Sequence, residues 1–264
     1  MARAAAALPP LGPARRAPLL RALPPEMTAI LVGIVIWEAL GRALQFHFFP
    51  PLSKVVAAGI ELVTSGAVGV NLLTSLSGLA VGFGASVLIG VSVGVLMGRF
   101  PLAEIALGPY VNALLAAPSL VFVPILFIFF GVSDLTRVAV VFLYTVFIII
   151  VNTATAVRTV DPALVEMGRV FGASQSRLLR RVILPDALPL AMAGIRIGMG
   201  RAVKGMINGE MFIAYVGLGA QLKTLGGTFN AAGVLAILLI VIAVAATAGW
   251  LVQMLDRRLT WWAN

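Results

Sequence analysis

Residues 159–189 read TVDPALVEMGRVFGASQSRLLRRVILPDALP. Asp161 followed by Pro162 marks a helix start. The aspartate can accept from orphan backbone N–H groups, and a proline at the first helical position gives up no bond, because its N–H would be unpaired there anyway. The helix is expected to end at Gly172, because a left-handed C-terminal position favours glycine. Ser174 then caps a second helix, SRLLRRVIL, with Leu178, Leu179, Val182 and Ile183 apolar and Arg177, Arg180 and Arg181 polar. The residue before a proline is driven out of the helical region, so this second helix is expected to stop before Pro185.

Outward from this helical pair the chain turns strongly apolar. Of 264 residues, 61% are hydrophobic and 11% charged, a balance that excludes a water-soluble globular domain. Six stretches approach the roughly 20 apolar residues that cross a hydrocarbon core: 27–45, 70–98, 105–130, 135–157, 188–210 and 232–254. The third contains Pro109, Pro118 and Pro124 and is expected to be kinked or broken. Residues 1–26 form a basic Pro/Ala-rich tail whose prolines interrupt the apolar core a cleaved signal needs. Residues 27–69 are read as the first span and an extracytoplasmic loop, 70–255 as the main transmembrane domain and 256–264 as a C-terminal tail.

In a chain of net charge +9, the distribution of Lys and Arg decides the orientation. Twelve arginines fall in the tail, the 98–104 turn, the 158–187 loop and the C-terminus, against Arg42, Lys54, Arg137 and Lys223 on the other side. Cytoplasmic loops are enriched in Lys and Arg, so both termini and the loop are expected in the cytoplasm. There is no cysteine, and His47 is the single histidine, which leaves no multi-histidine metal site and no cofactor expectation. An interfacial packing role suits His47 better. Glycines recur at steps of four, at Gly78 and Gly82, at Gly90, Gly94 and Gly98, at Gly194 and Gly198, and at Gly205 and Gly209. This spacing puts them on one helix face, where they permit close helix approach in lipid.

The loop also resembles a family signature. Glu166, Met167, Gly168, then Gly172, then Val182, Leu184 and Pro185 fall on the spacing of the "EAA" motif of bacterial ABC importer permeases: Glu-Ala-Ala, three residues, Gly, nine residues, Ile-x-Leu-Pro. Met167 and Gly168 stand for the two alanines and Val182 for the isoleucine. The continuation LPLAMAGIRIGMGRAVKGMINGEMFIAYVGLG, residues 188–219, is similar to the branch importing nitrate, sulfonates and taurine. The resemblance implies an all-α membrane protein, six transmembrane helices with the type I ABC importer permease fold. It implies a homodimer joined to a cytoplasmic ATPase subunit and fed by an extracytoplasmic substrate-binding protein, importing a small anionic solute. It makes the loop the coupling segment, with Glu166 facing an arginine of the ATPase, Gly172 allowing the turn, and Met167, Gly168, Ala173, Ser174 and Pro185 completing it.

The residues themselves leave other readings of the loop. An amphipathic hairpin lying on anionic lipid headgroups suits the arginines. A nucleic-acid role is disfavoured by enclosure between two spans. A P-loop needs Gly-Lys-Ser or Gly-Lys-Thr, and the only lysines, Lys54, Lys204 and Lys223, follow Ser53, Val203 and Leu222. If transport is ATP-driven, hydrolysis must therefore belong to a separate subunit, and the chain is expected to be no enzyme.

The fifth span carries Arg196, Arg201, Lys204 and Glu210, although a charge at a helix centre costs at least about 2.5 kcal/mol on insertion scales. Arg201, Lys204, Asn208 and Glu210 are the candidates for the translocation pathway. The competing reading has Glu210 and Glu38 neutralising these cations, with Arg196 reaching headgroups by snorkelling and Asn152 and Asn208 bonding across helices. A secondary anion carrier or channel shares the membrane charges but has no use for the loop.

Overall fold

The computed structural model describes residues 24–44, 46, 48–213 and 215–262; the expectations for the tail before residue 24 and for His47 fall outside them. The chain divides into two units, residues 1–54 and 55–264.

In the first unit, α1 (Pro25–Leu44) is exposed along nearly all its apolar length, with only Gly41 buried. Gly41 lies against Pro51, whose Cα would stand 2.5 Å from an added Cβ. Trp37 stacks on Phe49 and donates from Nε1 to the Pro50 carbonyl at 3.2 Å. Glu38 pairs with Arg42 one turn later at 2.6 Å and accepts from the backbone N–H and hydroxyl of Ser53 at 3.0 and 2.8 Å. That carboxylate is thus committed to partners within its own unit.

The second unit contains most of α2 (Leu52–Thr64), then α3 (Ala67–Arg99), α4 (Pro101–Ala116), α5 (Phe122–Phe130), α6 (Asp134–Arg158), α7 (Pro162–Val170), α8 (Gln175–Leu178), α9 (Leu184–Ile213), α10 (Leu218–Gly227) and α11 (Ala231–Leu259). No strand occurs among the described residues. Among the described residues five helical runs are long and apolar enough to span a membrane: α1, α3, α6, 175–213 and α11. The sixth is the expected broken one, with α4 and the 119–130 segment meeting at 89°. Its break falls at Ala117, extended at φ −64° and ψ 140°, because Pro118 disfavours a helical residue before it. Helices α2 and α10 lie in stretches read as loops, being too short to register as spans.

The core is a three-helix seam with α6 at its centre. Along α3 the residues Gly82, Gly90, Gly94 and Gly98 face Val141, Ile149, Thr153 and Val157 of α6 in turn. Ser86 occupies the remaining step and bonds Thr145 at 2.9 Å between hydroxyls. The numbering rises together on both helices, so they run parallel. On an adjoining face of α6, Gly194, Gly198, Gly205 and Gly209 of α9 face Asn152, Ile149, Tyr144 and Val140, an antiparallel register in which Ile149 touches both neighbours. With no apolar drive separating helix from lipid, such contact between small residues is what brings helices together. Gly78, grouped with the stripe from its spacing, has no atom within 4 Å of an added Cβ and lies off the seam.

This geometry separates two substitutions of identical chemistry. A Cβ at Gly94 would stand 2.6 Å from Thr153 Cβ and 2.8 Å from the Ile150 carbonyl, so Gly94→Ala is expected to cost about 1–3 kcal/mol through overpacking. Gly78→Ala is expected to leave the midpoint of thermal unfolding in detergent unchanged or slightly raised. Equal losses at the two positions would contradict the seam.

Candidate functional site

The loop after α6 is built by its caps. Asp161 accepts from the Ala163 N–H at 2.8 Å and Pro162 opens α7. Gly172 adopts φ +73°, and the turn closes through the Ala173 N–H to the Gly168 carbonyl at 3.0 Å. Ser174 accepts from the Arg177 N–H at 3.4 Å. Gly168 lets α7 approach α8, since an added Cβ would meet Leu178 Cδ2 at 2.5 Å and Leu178 is fully buried. The tip is the reverse: Val170 and Phe171 are 85% and 82% exposed, with Met167 also exposed.

The expected stop before Pro185 does not occur. After α8 the chain passes through a π-helical turn, Leu179–Ile183, and continues without a break into α9. A proline in a regular helix collides with the carbonyl four residues earlier and lacks the N–H to bond it. A π turn just ahead of the proline widens the helix and relieves that conflict. The helical run therefore extends from Gln175 to Ile213. Its base is fixed to the bundle by one apolar cluster, Ala156, Val157, Val160, Ile183, Ala187 and Ala191, against which Val95 of α3, Val165 of α7 and Leu179 pack. Polar ties add to it at this end: Arg99 donates to Gln175, and Arg158 pairs with Glu104 of α4 at 2.5 Å.

The four charges of α9 have different fates. Arg196 pairs with Asp256 of α11 while staying exposed; Asp256, 8% exposed, also accepts from the Thr260 hydroxyl. Glu210, 1% exposed, is withdrawn from the surface. Its carboxylate accepts from the Ser75 hydroxyl at 2.8 Å and the Gly219 N–H at 2.9 Å, and Arg137 Nη1 lies 4.0 Å away. Arg137 in turn pairs with Asp134 at 2.6 Å and donates to the Thr74 carbonyl at 3.4 Å. Neighbouring bonds run from the Leu218 N–H to Ser75 and from the Gly217 N–H to Asn71. The carboxylate expected to balance Arg201 and Lys204 is thus engaged in joining α3, α6, α9 and α10. Arg201 is half-buried and Lys204 exposed, on the face that also carries exposed Gly200 and Ile197. Neither cation forms a hydrogen bond or ion pair among the described residues. Asn208 bonds across helices to the Tyr144 hydroxyl at 3.0 Å, and Asn152 donates to the Ile148 carbonyl at 2.8 Å.

The partners Arg137, Ser75, Asn71 and Asp256 were not singled out from sequence. One signal was available: Arg137 lies inside the stretch 135–157 read as a span, where an unpaired cation is costly. Among the described residues no group of three His, Cys, Asp or Glu is placed to hold a metal.

A bundle of membrane-spanning helices with a capped helical loop packed at its base is the architecture of a multi-pass membrane protein. Residues 86–261 match the family described as "Binding-protein-dependent transport system inner membrane component", and the chain belongs to that family. It is therefore the multi-pass inner-membrane permease subunit of a type I ABC importer, in the branch its sequence resembles, partnered by a separate ATPase subunit and a binding protein. Membership does not favour the secondary carrier or channel. The chain is 26% identical to the taurine transport system permease protein TauC of Escherichia coli K12, over 94% of this chain and 92% of that one. It is 31% identical to the riboflavin transport system permease protein RibX of Chloroflexus aurantiacus, over 88% of each. It shares the fold of the MetNI methionine ABC transporter in an inward-facing conformation, with a TM-score of 0.62 at 19% identity, over 72% of this chain and 94% of that chain.

The Glu210 junction yields a stability prediction. Glu210→Leu removes the acceptor for Ser75 and Gly219 and leaves buried Arg137 with exposed Asp134 as its one carboxylate, an expected loss of about 3–5 kcal/mol. Glu210→Gln keeps an acceptor oxygen and is expected to lose markedly less. Thermal unfolding of the purified chain reads both, and a Leu variant as stable as the parent would contradict the assignment.

Proposed function

We propose that residues 161–185 dock this permease on its ATPase, with the loop and both termini in the cytoplasm. Two copies of the chain, embedded in membrane lipid, enclose the pathway, and the solute is a small anion of the sulfonate type. The observation that carries this reading is the unbroken helix from Gln175 to Ile213. It joins the loop to Arg201 and Lys204, about 20 and 24 Å along the span from residue 188 at 1.5 Å per residue.

The loop has the form a docking element needs. The apolar tip of Val170 and Phe171 stands exposed among the described residues, and Glu166, exposed nearby, makes no hydrogen bond or ion pair among them and is free to meet an arginine. Met167 adds apolar area, Gly168 and Gly172 set the close helix approach and the turn, Ala173 and Ser174 close it, and Pro185 fits the π turn. ATP-driven closure of the ATPases carries the loops with them, and the cluster around Ile183 and Ala187 passes that movement to α3, α6 and α9. Differential binding of the ATPases to the two conformations shifts the population of inward- and outward-facing states. The arginine-rich end supports the orientation.

Arg201 and Lys204 support an anion because their expected counter-charge is spent elsewhere. TauC is named for taurine, which carries a sulfonate, and RibX for riboflavin; the uncompensated cations favour the former kind of solute. Asn208, tied to Tyr144, sits on the same stretch, and Glu210 acts on the pathway by positioning α10.

Two variants test these roles in proteoliposomes holding the chain with its ATPase and binding protein. Glu166→Lys is expected to express and insert normally but lose at least tenfold in ATP-dependent uptake; uptake at the parent rate would refute the docking role. Lys204→Ala is expected to weaken uptake of the anionic solute while the complex still assembles. Unchanged uptake sinks the pathway assignment.

A further inference from the structure

Between α7 and the ends of α3 and α6 lies a cavity of about 320 Å³, at the small end of the range that holds small ligands. Val157, Val160 and Ile183, all nearly fully buried, form its apolar floor, and Arg99, Arg158, Arg169 and Glu166 line its polar side. The three guanidiniums are unequally satisfied. Arg158 is neutralised by Glu104 at 2.5 Å. Arg99 donates to a neutral amide, Gln175, and lies over the Phe100 ring. Arg169 forms no hydrogen bond or ion pair among the described residues. Against Arg99 and Arg169 stands one carboxylate, Glu166, so the cavity keeps a positive surplus.

We propose that this cavity is a binding site for a tetrahedral oxyanion, a sulfonate or a phosphate, held by Arg99, Arg158 and Arg169 with its apolar substituent on the Val157–Val160–Ile183 floor. The planar guanidinium fork matches such oxygens in paired, charge-assisted hydrogen bonds, and the apolar floor favours an anion with a short alkyl body over a bare one. The same chemistry is offered by a soluble anion and by the phosphate of a neighbouring lipid headgroup. Occupancy ties α3, α6 and α7 together and raises the stability of this end of the bundle. The site stands independently of the docking role proposed for the loop.

The test uses the purified full chain in dodecyl maltoside, whose headgroup carries neither charge nor phosphate. Thermal unfolding is followed while sodium butanesulfonate replaces sodium chloride at constant ionic strength, and separately while phosphatidylglycerol is added. A saturable rise in midpoint with butanesulfonate identifies a soluble anion as ligand, and a rise with phosphatidylglycerol alone identifies a headgroup. In either case Arg169→Gln and Arg99→Gln are expected to raise the half-saturating concentration at least tenfold, and Arg257→Gln, outside the cavity, to respond as the parent does. Because Arg169 makes no hydrogen bond or ion pair among the described residues, its replacement is expected to leave the fold intact. No stabilisation by either probe would overturn the proposal, as would a loss in Arg257→Gln equal to that in Arg169→Gln.

Discussion

Close contact between α6 and its two neighbours is the constraint on which the rest of this structure depends. Gly82, Gly90, Gly94 and Gly98 bring α3 against one face of α6, and Gly194, Gly198, Gly205 and Gly209 bring α9 against the adjoining face. In lipid the exposure of an apolar side chain carries no penalty, so surfaces that approach closely decide which helices pair and in what register. Once α9 turns its glycine face to α6, Gly200 and Lys204 are left on the outward face, with Arg201 beside them. The same register places Glu210 beyond the last glycine contact, within reach of Ser75, Gly219 and Arg137.

The seam also explains how one chain can be both rigid and transmissive. The loop carrying α7 is anchored through an apolar cluster drawn from α3, α6, α7 and α9, and the second half of the loop is continuous with α9. Under the docking proposed for the loop, a force applied to α7 would reach the charged face of α9 through this packed cluster and the continuous helix. The chain carries no phosphate-binding fingerprint of its own, which agrees with a family in which the ATPase is a separate subunit.

Features governed by nearest neighbours were legible in the sequence. Asp161 with Pro162, Gly172 and Ser174 act within a turn of themselves, and each cap appears where the residue types place it. The spans and the break at Pro118 follow from apolar length and from the missing proline N–H. What stayed hidden depends on distant partners. Pro185 reads as a stop, but the π turn before it is a backbone adjustment with no residue signature. Glu210 and Arg137 lie 73 positions apart, and Arg196 and Asp256 are 60 apart; a charge inside a span signals that it needs a partner, but nothing local says which residue that is. Gly78 shares the spacing of the stripe but not its contact, because four-residue steps drift around the helix and only the packed neighbour decides which glycines are used.

The central claim is that the loop between α6 and α9 is the contact with the ATPase, and the absence of cysteine from the sequence permits a direct measurement. A single cysteine at position 171, where Phe171 stands 82% exposed at the loop tip, can be labelled with a water-soluble maleimide in inverted membrane vesicles. The account predicts slow labelling while the ATPase subunit is bound and fast labelling after it is stripped with urea. Equal labelling in the two preparations would contradict it.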